Sequence, residues 1–221
     1  MDFEVPDEHR MMRDTVRDFC EDEIEPIAQA IEDEHRYPAG IFDRLGALDV
    51  MGVPISEEYG GLGGDQLMYA LVCEELGRVS GSVGLSYAAH VSLASKPLEL
   101  FGTHEQKERW LRPLAEGEHI GGWALTEPGS GSDASDMDTH AERDGDEYVL
   151  NGTKQFITNA SEAGSVLVKA VTDPEADGPI GPAIAREIAQ AHGWKLVAAE
   201  TRDGTLRFEL SEITTLEPAG E

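Results

Sequence analysis

The sequence has few cysteines and no long apolar run, and each shortage excludes a class of protein. Its two cysteines, Cys20 and Cys73, are too few for a disulfide framework and have no metal-ligand spacing. No segment approaches the roughly 18 consecutive apolar residues of a membrane-spanning helix. The N-terminus also lacks the positively charged start of a signal peptide. These absences predict a soluble, cytoplasmic protein with no membrane partner.

Basic residues are also scarce. The chain has 17 Lys and Arg residues against 44 Asp and Glu residues, a formal charge of -27. Nucleic-acid binding needs a basic surface and is therefore excluded. In molar salt the Debye length falls to about 3 Å, which removes most of the self-repulsion of so acidic a chain. The acidity thus predicts a halophilic protein adapted to a salt-rich cytoplasm. The histidines are scattered without ligand spacing, so we predict no metal site.

Helical patterns dominate the first half. Apolar residues recur at spacings of three and four from Asp7 to about Glu34, where Pro26 is expected to interrupt the helix. Further helices are predicted for residues 38–48, 65–79, 83–100 and 107–115. Asp65 fits an N-cap, and Thr103 with Gln106 has capping-box spacing. The glycine-rich run at 59–64 reads as a flexible loop.

The period changes near His119. Strands are predicted at residues 121–126, 147–150, 154–158 and 166–171. Asn151-Gly152 is a hairpin signal, because both residues tolerate positive φ. The fold class predicted is α+β, with a helical domain over residues 1–118 followed by a partial antiparallel β domain over residues 119–178.

A glycine- and serine-rich loop follows the first predicted strand. Residues 126–133 read Thr-Glu-Pro-Gly-Ser-Gly-Ser-Asp, which leaves backbone N–H groups and two hydroxyls free to face an anion such as a pyrophosphate. Most Gly-Ser-Gly-Ser runs are plain surface loops, so the run alone decides nothing.

The surrounding strings carry a family resemblance. Residues 126–133 resemble the flavin-contacting motif of the acyl-CoA dehydrogenases. The second half of that family's flavin site is an aromatic-Ile-Thr triplet, which Phe156-Ile157-Thr158 resembles. Other matching strings lie, in the family's order, at residues 53–61, 74–78, 101–107 and 146–152. From about Pro6 to Asp177 the chain is similar to this family almost continuously.

The resemblance implies a cofactor, a substrate and a partner. Family members consist of an N-terminal helical domain, a middle β domain and a C-terminal helical bundle, with FAD between the last two. The substrate is an acyl-CoA thioester, and electrons pass to an electron-transfer flavoprotein. The cofactor-binding residues implied by position are Trp123, Ala124, Leu125, Thr126, Gly131, Ser132, Phe156, Ile157 and Thr158. Thr126 and Thr158 would hydrogen-bond the flavin ring, Phe156 would stack near it, and Ser132 would touch both cofactor and substrate. Without the first motif, Phe156 and Ile157 would read as the core of a strand.

The resemblance also implies a missing group. In the family, a glutamate of the C-terminal bundle removes the α-proton of the thioester while a hydride leaves the β-carbon for the flavin. This chain shows no counterpart of that bundle, so we assign no catalytic residue. The expectation is a truncated dehydrogenase with little or no turnover, and without the bundle an oligomer is doubtful.

The tail, residues 179–221, resembles another family. The apolar stripe from Ile184 to Ala191 predicts a helix and Asp203-Gly204 a hairpin, as at the end of the histidine-kinase ATP-binding domain. Pro179 and Pro182 depart from that pattern where a phosphate-binding lid would need N–H groups. The sequence therefore predicts a chimera whose tail is a short helix plus hairpin.

Three hypotheses follow. The first is a truncated, FAD-dependent acyl-CoA dehydrogenase. The second is a non-catalytic fragment, or one that binds a partner through an exposed helical face without a cofactor. The third is a nucleotide-binding module formed by the tail, which its prolines and the missing ATP-binding boxes disfavour.

Overall fold

The computed structural model describes residues 4–134, 136–144 and 147–172, together with four strands at 184–190, 199–200, 206–207 and 214–215. The first part is helical, as predicted. Its α-helices are α1 Asp7–Phe19, α2 Glu25–Asp33, α3 Ala39–Ala47, α4 Gln66–Val79, α5 Gly81–Ala89, α6 Lys96–Phe101, α7 His104–Gln106 and α8 Arg112–Ala115. Among the described residues, no helix combines the length and the apolar character that crossing a membrane requires.

Wide π-helical turns join several of these helices, and each one ends two residues before a proline. The pairs are Cys20–Ile24 with Pro26, His90–Ser95 with Pro97, and Lys107–Leu111 with Pro113. Proline has no N–H to donate, and its ring clashes with the carbonyl four residues earlier, so the preceding turn widens while the helix continues. The interruption predicted at Pro26 is confirmed, and it takes this form.

The predicted helix caps are also confirmed. Asp65 Oδ1 accepts a hydrogen bond from the Met68 N–H at 2.9 Å, at the start of α4. Thr103 Oγ1 accepts from the Gln106 N–H, and Gln106 Oε1 accepts from the Thr103 N–H, a complete capping box. These local signals fix where α4 and α7 begin.

The glycine-rich loop at 59–64 is held more closely than the sequence suggested. The N–H groups of residues 61–64 each donate to a carbonyl of residues 52–56. A Cβ on Gly61 would lie 2.1 Å from the Ile55 carbonyl oxygen. The glycine therefore allows a close backbone approach, and the loop is part of the packed helical domain.

The second part of the chain forms a sheet. Its strands are β1 Ile120–Ala124, β2 His140–Asp144, β3 Glu147–Asn151, β4 Ala163–Val171, β5 Ile184–Gln190 and β8 Thr214–Thr215, while β6 Ala199–Glu200 and β7 Leu206–Arg207 form a separate antiparallel pair. The order is β3-β2-β4-β5-β8, with β1 also paired to β4. The pairs β1–β4 and β2–β4 are parallel and the others antiparallel, so the prediction of an antiparallel domain was wrong. Nearly forty residues separate β1 from β4, enough for the crossover that a parallel pair needs.

Two local strand predictions were wrong as well. Residues 154–158 form a loop, because Phe156 has a φ of 57° and Asn159 a φ of 68°, which an extended strand cannot contain. The antiparallel partner of β3 is β2, a strand that the sequence analysis did not predict. The predicted hairpin at Asn151-Gly152 is therefore absent, and the chain leaves β3 there.

The tail prediction fails at residues 184–190. These residues form β5, paired antiparallel with β4 from Ser165↔Gln190 to Val171↔Ile184, where the sequence predicted a helix. The open edge of β4 supplies backbone partners, and such long-range pairing overrides a local helical pattern. The turn predicted at Asp203-Gly204 lies outside the described residues.

A buried carboxylate joins two helices of the first part. Glu75 on α4 accepts hydrogen bonds from Arg17 on α1 and from Arg78. The Arg17 hydrogen bond, helped by that of Arg78, lowers the pKa of Glu75 against the effect of burial. The buried charge is therefore paired, as charges inside proteins must be.

Candidate functional site

The two sequence motifs that resemble flavin-contacting motifs lie next to each other at the end of β1. The Gln155 N–H donates to the Thr126 carbonyl at 2.8 Å, and the Gln155 side-chain amide donates to the Glu127 carbonyl at 3.1 Å. The Lys154 ammonium donates to the Leu125 carbonyl at 3.0 Å. We call residues 123–132 the first segment and residues 154–158 the second segment. The fold places them side by side, although more than twenty residues separate them in the chain.

A buried ion pair lies where the two segments meet. Lys154 Nζ donates to Glu127 Oε1 at 2.6 Å, and both side chains are almost fully buried. Glu127 also accepts from the Asp138 and Thr139 N–H groups at 2.5 and 3.0 Å. Burial lowers the pKa of Lys154. Burial acts to raise the pKa of Glu127, but its hydrogen bonds, Lys154's first, outweigh that effect and lower it.

The glycine- and serine-rich loop closes on itself and leaves its tip open. The Glu127 N–H donates to the Ser130 carbonyl at 2.7 Å, and Ser130 Oγ donates to the Asp133 carbonyl at 2.6 Å. Gly131 and Ser132 are exposed. A Cβ added to Gly131 would meet nothing nearer than Thr126 Cγ2 at 3.8 Å, so the space beside the tip is open.

The residues predicted to bind a cofactor divide into a surface set and a core set. Leu125, Thr126 and Thr158 are half-buried, while Phe156 is exposed. Ala124 and Ile157 are buried in one apolar cluster beneath the surface, and Trp123 packs against another. The side chains of Ala124 and Ile157 therefore lie in the core beneath the surface set; the strand-core interpretation was wrong, because Ile157 is buried in a loop and Phe156 is exposed.

Phe156 is the most exposed large apolar side chain in the described part of the chain, at 83%. Its left-handed backbone, with a φ of 57°, is unusual for an aromatic residue. The flanking residues hold it there, since Gln155 is bonded to the first segment and Ile157 lies in the core. Strained residues of this kind cluster at functional sites.

Two buried polar residues fasten the site to the helices. Asn159 Nδ2 donates to the Ser86 carbonyl on α5 at 2.9 Å and to the Gly121 carbonyl on β1 at 3.0 Å. The Gly121 N–H donates to Nδ1 of His90, which is fully buried in the second π-helical turn. Burial lowers the pKa of His90 to about 4. Both groups of the Gly121 backbone thus hold β1 against the rest of the molecule.

The charge around the loop is acidic. Asp133, Asp136 and Asp138 are exposed on or beside it. The Lys154 ammonium is occupied by Glu127, and Lys169 Nζ donates to the Ala134 carbonyl at 2.9 Å. No group of three or more His, Cys, Asp or Glu side chains within the described ranges is arranged to hold a metal ion.

Sequence reasoning missed the residues that join the segments. Lys154 and Asn159 lie directly beside the second motif, but neither a lysine in a predicted strand nor an asparagine just after it carries a signal that its side chain is buried. Glu127 lies inside the first motif, where a carboxylate beside a candidate anion site suggested no structural role. Only the pairing of the segments in space shows what these three residues do.

Comparison with known proteins agrees with this architecture. The family model described as acyl-CoA dehydrogenase, N-terminal domain, matches residues 6–118. The model described as acyl-CoA dehydrogenase, middle domain, matches residues 122–213. The second match runs through most of the tail, and the histidine-kinase resemblance predicted there is not supported.

Individual relatives are similar over most of the chain. A probable acyl-CoA dehydrogenase of Bacillus subtilis is 51% identical over 178 residues, which cover 80% of this chain and 47% of the relative. The structure of an acyl-CoA dehydrogenase complexed with FAD from Bacillus anthracis matches with a TM-score of 0.83 and 33% identity, over 96% of this chain and 37% of that one. A structure described as the electron transferring flavoprotein of Acidaminococcus fermentans matches with a TM-score of 0.83 and 36% identity, over 99% of this chain and 58% of that one.

These matches decide the family and the extent of the likeness. The chain spans about half the length of the curated relative, at 47%. Over that span the helical part and the sheet correspond, in order, to the family's N-terminal and middle domains. The chain belongs to the acyl-CoA dehydrogenase family.

Proposed function

We propose that the paired segments form an FAD-binding surface and that the chain takes part in the α,β-dehydrogenation of acyl-CoA thioesters. The observation that supports this most is the pairing itself. It brings the backbone of Thr126, beside an open glycine-rich tip, against that of Gln155, which directly precedes the exposed Phe156 and lies three residues before Thr158. FAD, when bound, would supply the hydride-accepting chemistry.

The surface suits the flavin ring better than the pyrophosphate. Two threonine hydroxyls and backbone groups can hydrogen-bond a heterocycle, and an exposed aromatic ring can pack against it. However, Asp133, Asp136 and Asp138 are exposed on or beside the loop that would face a pyrophosphate, and the nearby lysines Lys154 and Lys169 are already bonded. We therefore expect salt to strengthen FAD binding by screening this repulsion.

The substrate, the reaction and the electron acceptor extend this proposal. An acyl-CoA thioester fits the family, Ser132 at the open tip is the residue we propose to touch both cofactor and substrate, and an electron-transfer flavoprotein would reoxidise the flavin. We assign no catalytic base. Glu127 does not serve as one, because its carboxylate is buried and already accepts hydrogen bonds from Lys154 and two N–H groups.

A partner-binding role without cofactor is the second candidate. Leu85 and Leu100, on α5 and α6, are each 61% exposed. Exposed apolar side chains favour association with another protein surface. Oligomers or aggregates that form in the absence of flavin, from a chain that binds no FAD, would favour this candidate over the first.

Replacing Phe156 with alanine is expected to weaken FAD binding about fivefold, because an aromatic contact contributes about 1 kcal/mol. The measurement is an FAD titration followed by flavin fluorescence and visible absorbance. Phe156→Trp should keep the affinity, since it retains the ring. Val149→Ala, at an exposed apolar position on β3, is the matched control and should leave binding unchanged. Equal affinities for all four proteins would contradict the proposed ring contact.

A further inference from the structure

The buried pair of Glu127 and Lys154 requires the desolvation of two charged groups, which costs free energy. Both side chains have given up water, at 3% and 4% exposure. Removing two charges from water is costly, and buried ion pairs often add nothing to stability compared with apolar residues of similar size. Stability alone therefore does not account for this ion pair, and its contacts with the rest of the site indicate its role.

Each partner of the pair holds a different segment. The Lys154 ammonium, on the second segment, donates to the Leu125 carbonyl of the first. The Glu127 carboxylate, on the first segment, accepts from the Asp138 and Thr139 N–H groups, just before β2. The pair thus joins the end of β1, the chain before β2 and the second segment at one point.

These bonds fix the peptides on both sides of Thr126. A peptide unit is planar, so its C=O and N–H point in opposite directions. Because the Leu125 carbonyl faces the Lys154 ammonium, the Thr126 N–H is directed away from it. The Thr126 carbonyl is held in turn by the Gln155 N–H, next to Lys154 in the chain. The direction in which Thr126 presents its donor groups is therefore set by the second segment.

We infer that Glu127 and Lys154 are positioning residues, a clamp that holds the first and second segments in one register and so orients Thr126 toward the flavin. The orientation of the donor groups rests on the proposed function. The register of the two segments is a property of the protein alone. The two parts are tested by separate readouts.

The first readout is amide hydrogen exchange without FAD. Lys154→Met keeps the length and apolar stem of the side chain and removes its charge, and Glu127→Gln keeps the shape of the carboxylate. We expect at least about tenfold faster exchange at Thr139 and Gln155 in both variants, while Val168 in β4 stays protected. Exchange that matches the unmodified chain at these amides overturns the clamp, whether or not FAD binds.

The second readout is the affinity for FAD and the visible absorption spectrum of the bound flavin. We expect about tenfold weaker binding and a shifted spectrum in both single variants, because Thr126 no longer presents its donors correctly. The double variant should be no worse than either single one, since the two residues act as a unit. Faster exchange combined with an unchanged affinity and spectrum overturns the orienting role.

Lys96→Met is the matched control. Lys96 also donates to a backbone carbonyl, that of Pro54, and pairs with a glutamate, Glu99, but in the helical part. It should leave the exchange of Thr139 and Gln155 and the binding of FAD unchanged. If the unmodified chain binds no FAD, the proposed function fails, whereas the clamp is then decided by the exchange measurement alone.

Discussion

Replacing Asn159 with alanine is expected to lower the free energy of unfolding by about 2 to 4 kcal/mol. Its side-chain amide is the shared donor to the Ser86 carbonyl of α5 and the Gly121 carbonyl of β1. The buried Gly121 carbonyl loses its partner, which costs about 1 to 3 kcal/mol, whereas the Ser86 carbonyl keeps the His90 N–H of its own helix. Alanine at a φ of 68° adds about 1 kcal/mol, because asparagine tolerates this left-handed region better. Urea unfolding followed by circular dichroism measures the loss.

Asn159→Gly separates the two causes. Glycine removes the same hydrogen bonds but adopts the left-handed backbone without strain. The glycine variant should therefore lose the stability that the hydrogen bonds contribute, but it should avoid the strain of about 1 kcal/mol expected for alanine. Glycine adds only a small entropic cost, because it makes the unfolded chain more flexible. A loss below about 1 kcal/mol in the alanine variant would mean that Asn159 does not hold the sheet to the helices.

Acid is expected to destabilise the protein through His90, by about 2.5 kcal/mol between about pH 7 and about pH 4.5. The pKa of His90 lies near 4 in the folded protein because the imidazolium would be buried, and at its ordinary value of 6.5 in the unfolded chain. Between these values the unfolded chain binds the extra proton. Stability is thus fully present above about pH 6.5 and falls as the pH drops toward 4. Protonation at Nδ1 would also break the bond from the Gly121 N–H.

His90→Gln provides the comparison. Glutamine can accept the same Gly121 N–H through its side-chain oxygen but does not titrate. Glu75, Glu127 and Asp65, whose pKa values are also lowered, lose stability in acid in both proteins. The difference between the two pH profiles therefore isolates His90. Parallel profiles from about pH 7 to about pH 4.5 would show that His90 is not held neutral by burial.

The helix caps and the interruption of the first helix could be predicted from the sequence, because each depends on interactions within a few residues. Asp65 and the pair Thr103 and Gln106 act on N–H groups within three residues, so a short pattern contains the whole interaction. Pro26 was also readable, because its missing N–H affects only its own helix. The π-helical form of the interruption was not, since a widened turn has no signature in the apolar spacing.

The sheet and the site depend on pairing between distant residues, and there the sequence was less informative. Strand pairing determines both the parallel arrangement of β1 with β4 and the formation of strand β5 in place of a helix. A local sequence pattern does not show which strand edges pair. The motif strings mark the two segments that the structure pairs. What they could not show is that Lys154 is buried against Glu127, that Asn159 bridges to Ser86, or that Phe156 points outward on a left-handed backbone.

The central claim, that the paired segments bind FAD, is tested most directly by equilibrium dialysis of the purified chain against FAD in molar KCl. At about 1 M salt the Debye length is about 3 Å, against about 8 Å at 0.15 M, so the repulsion from the acidic loop is largely screened. We predict about one FAD per chain in high salt, with weaker binding in low salt. A chain that is folded by circular dichroism but retains no FAD at either salt concentration would contradict the account.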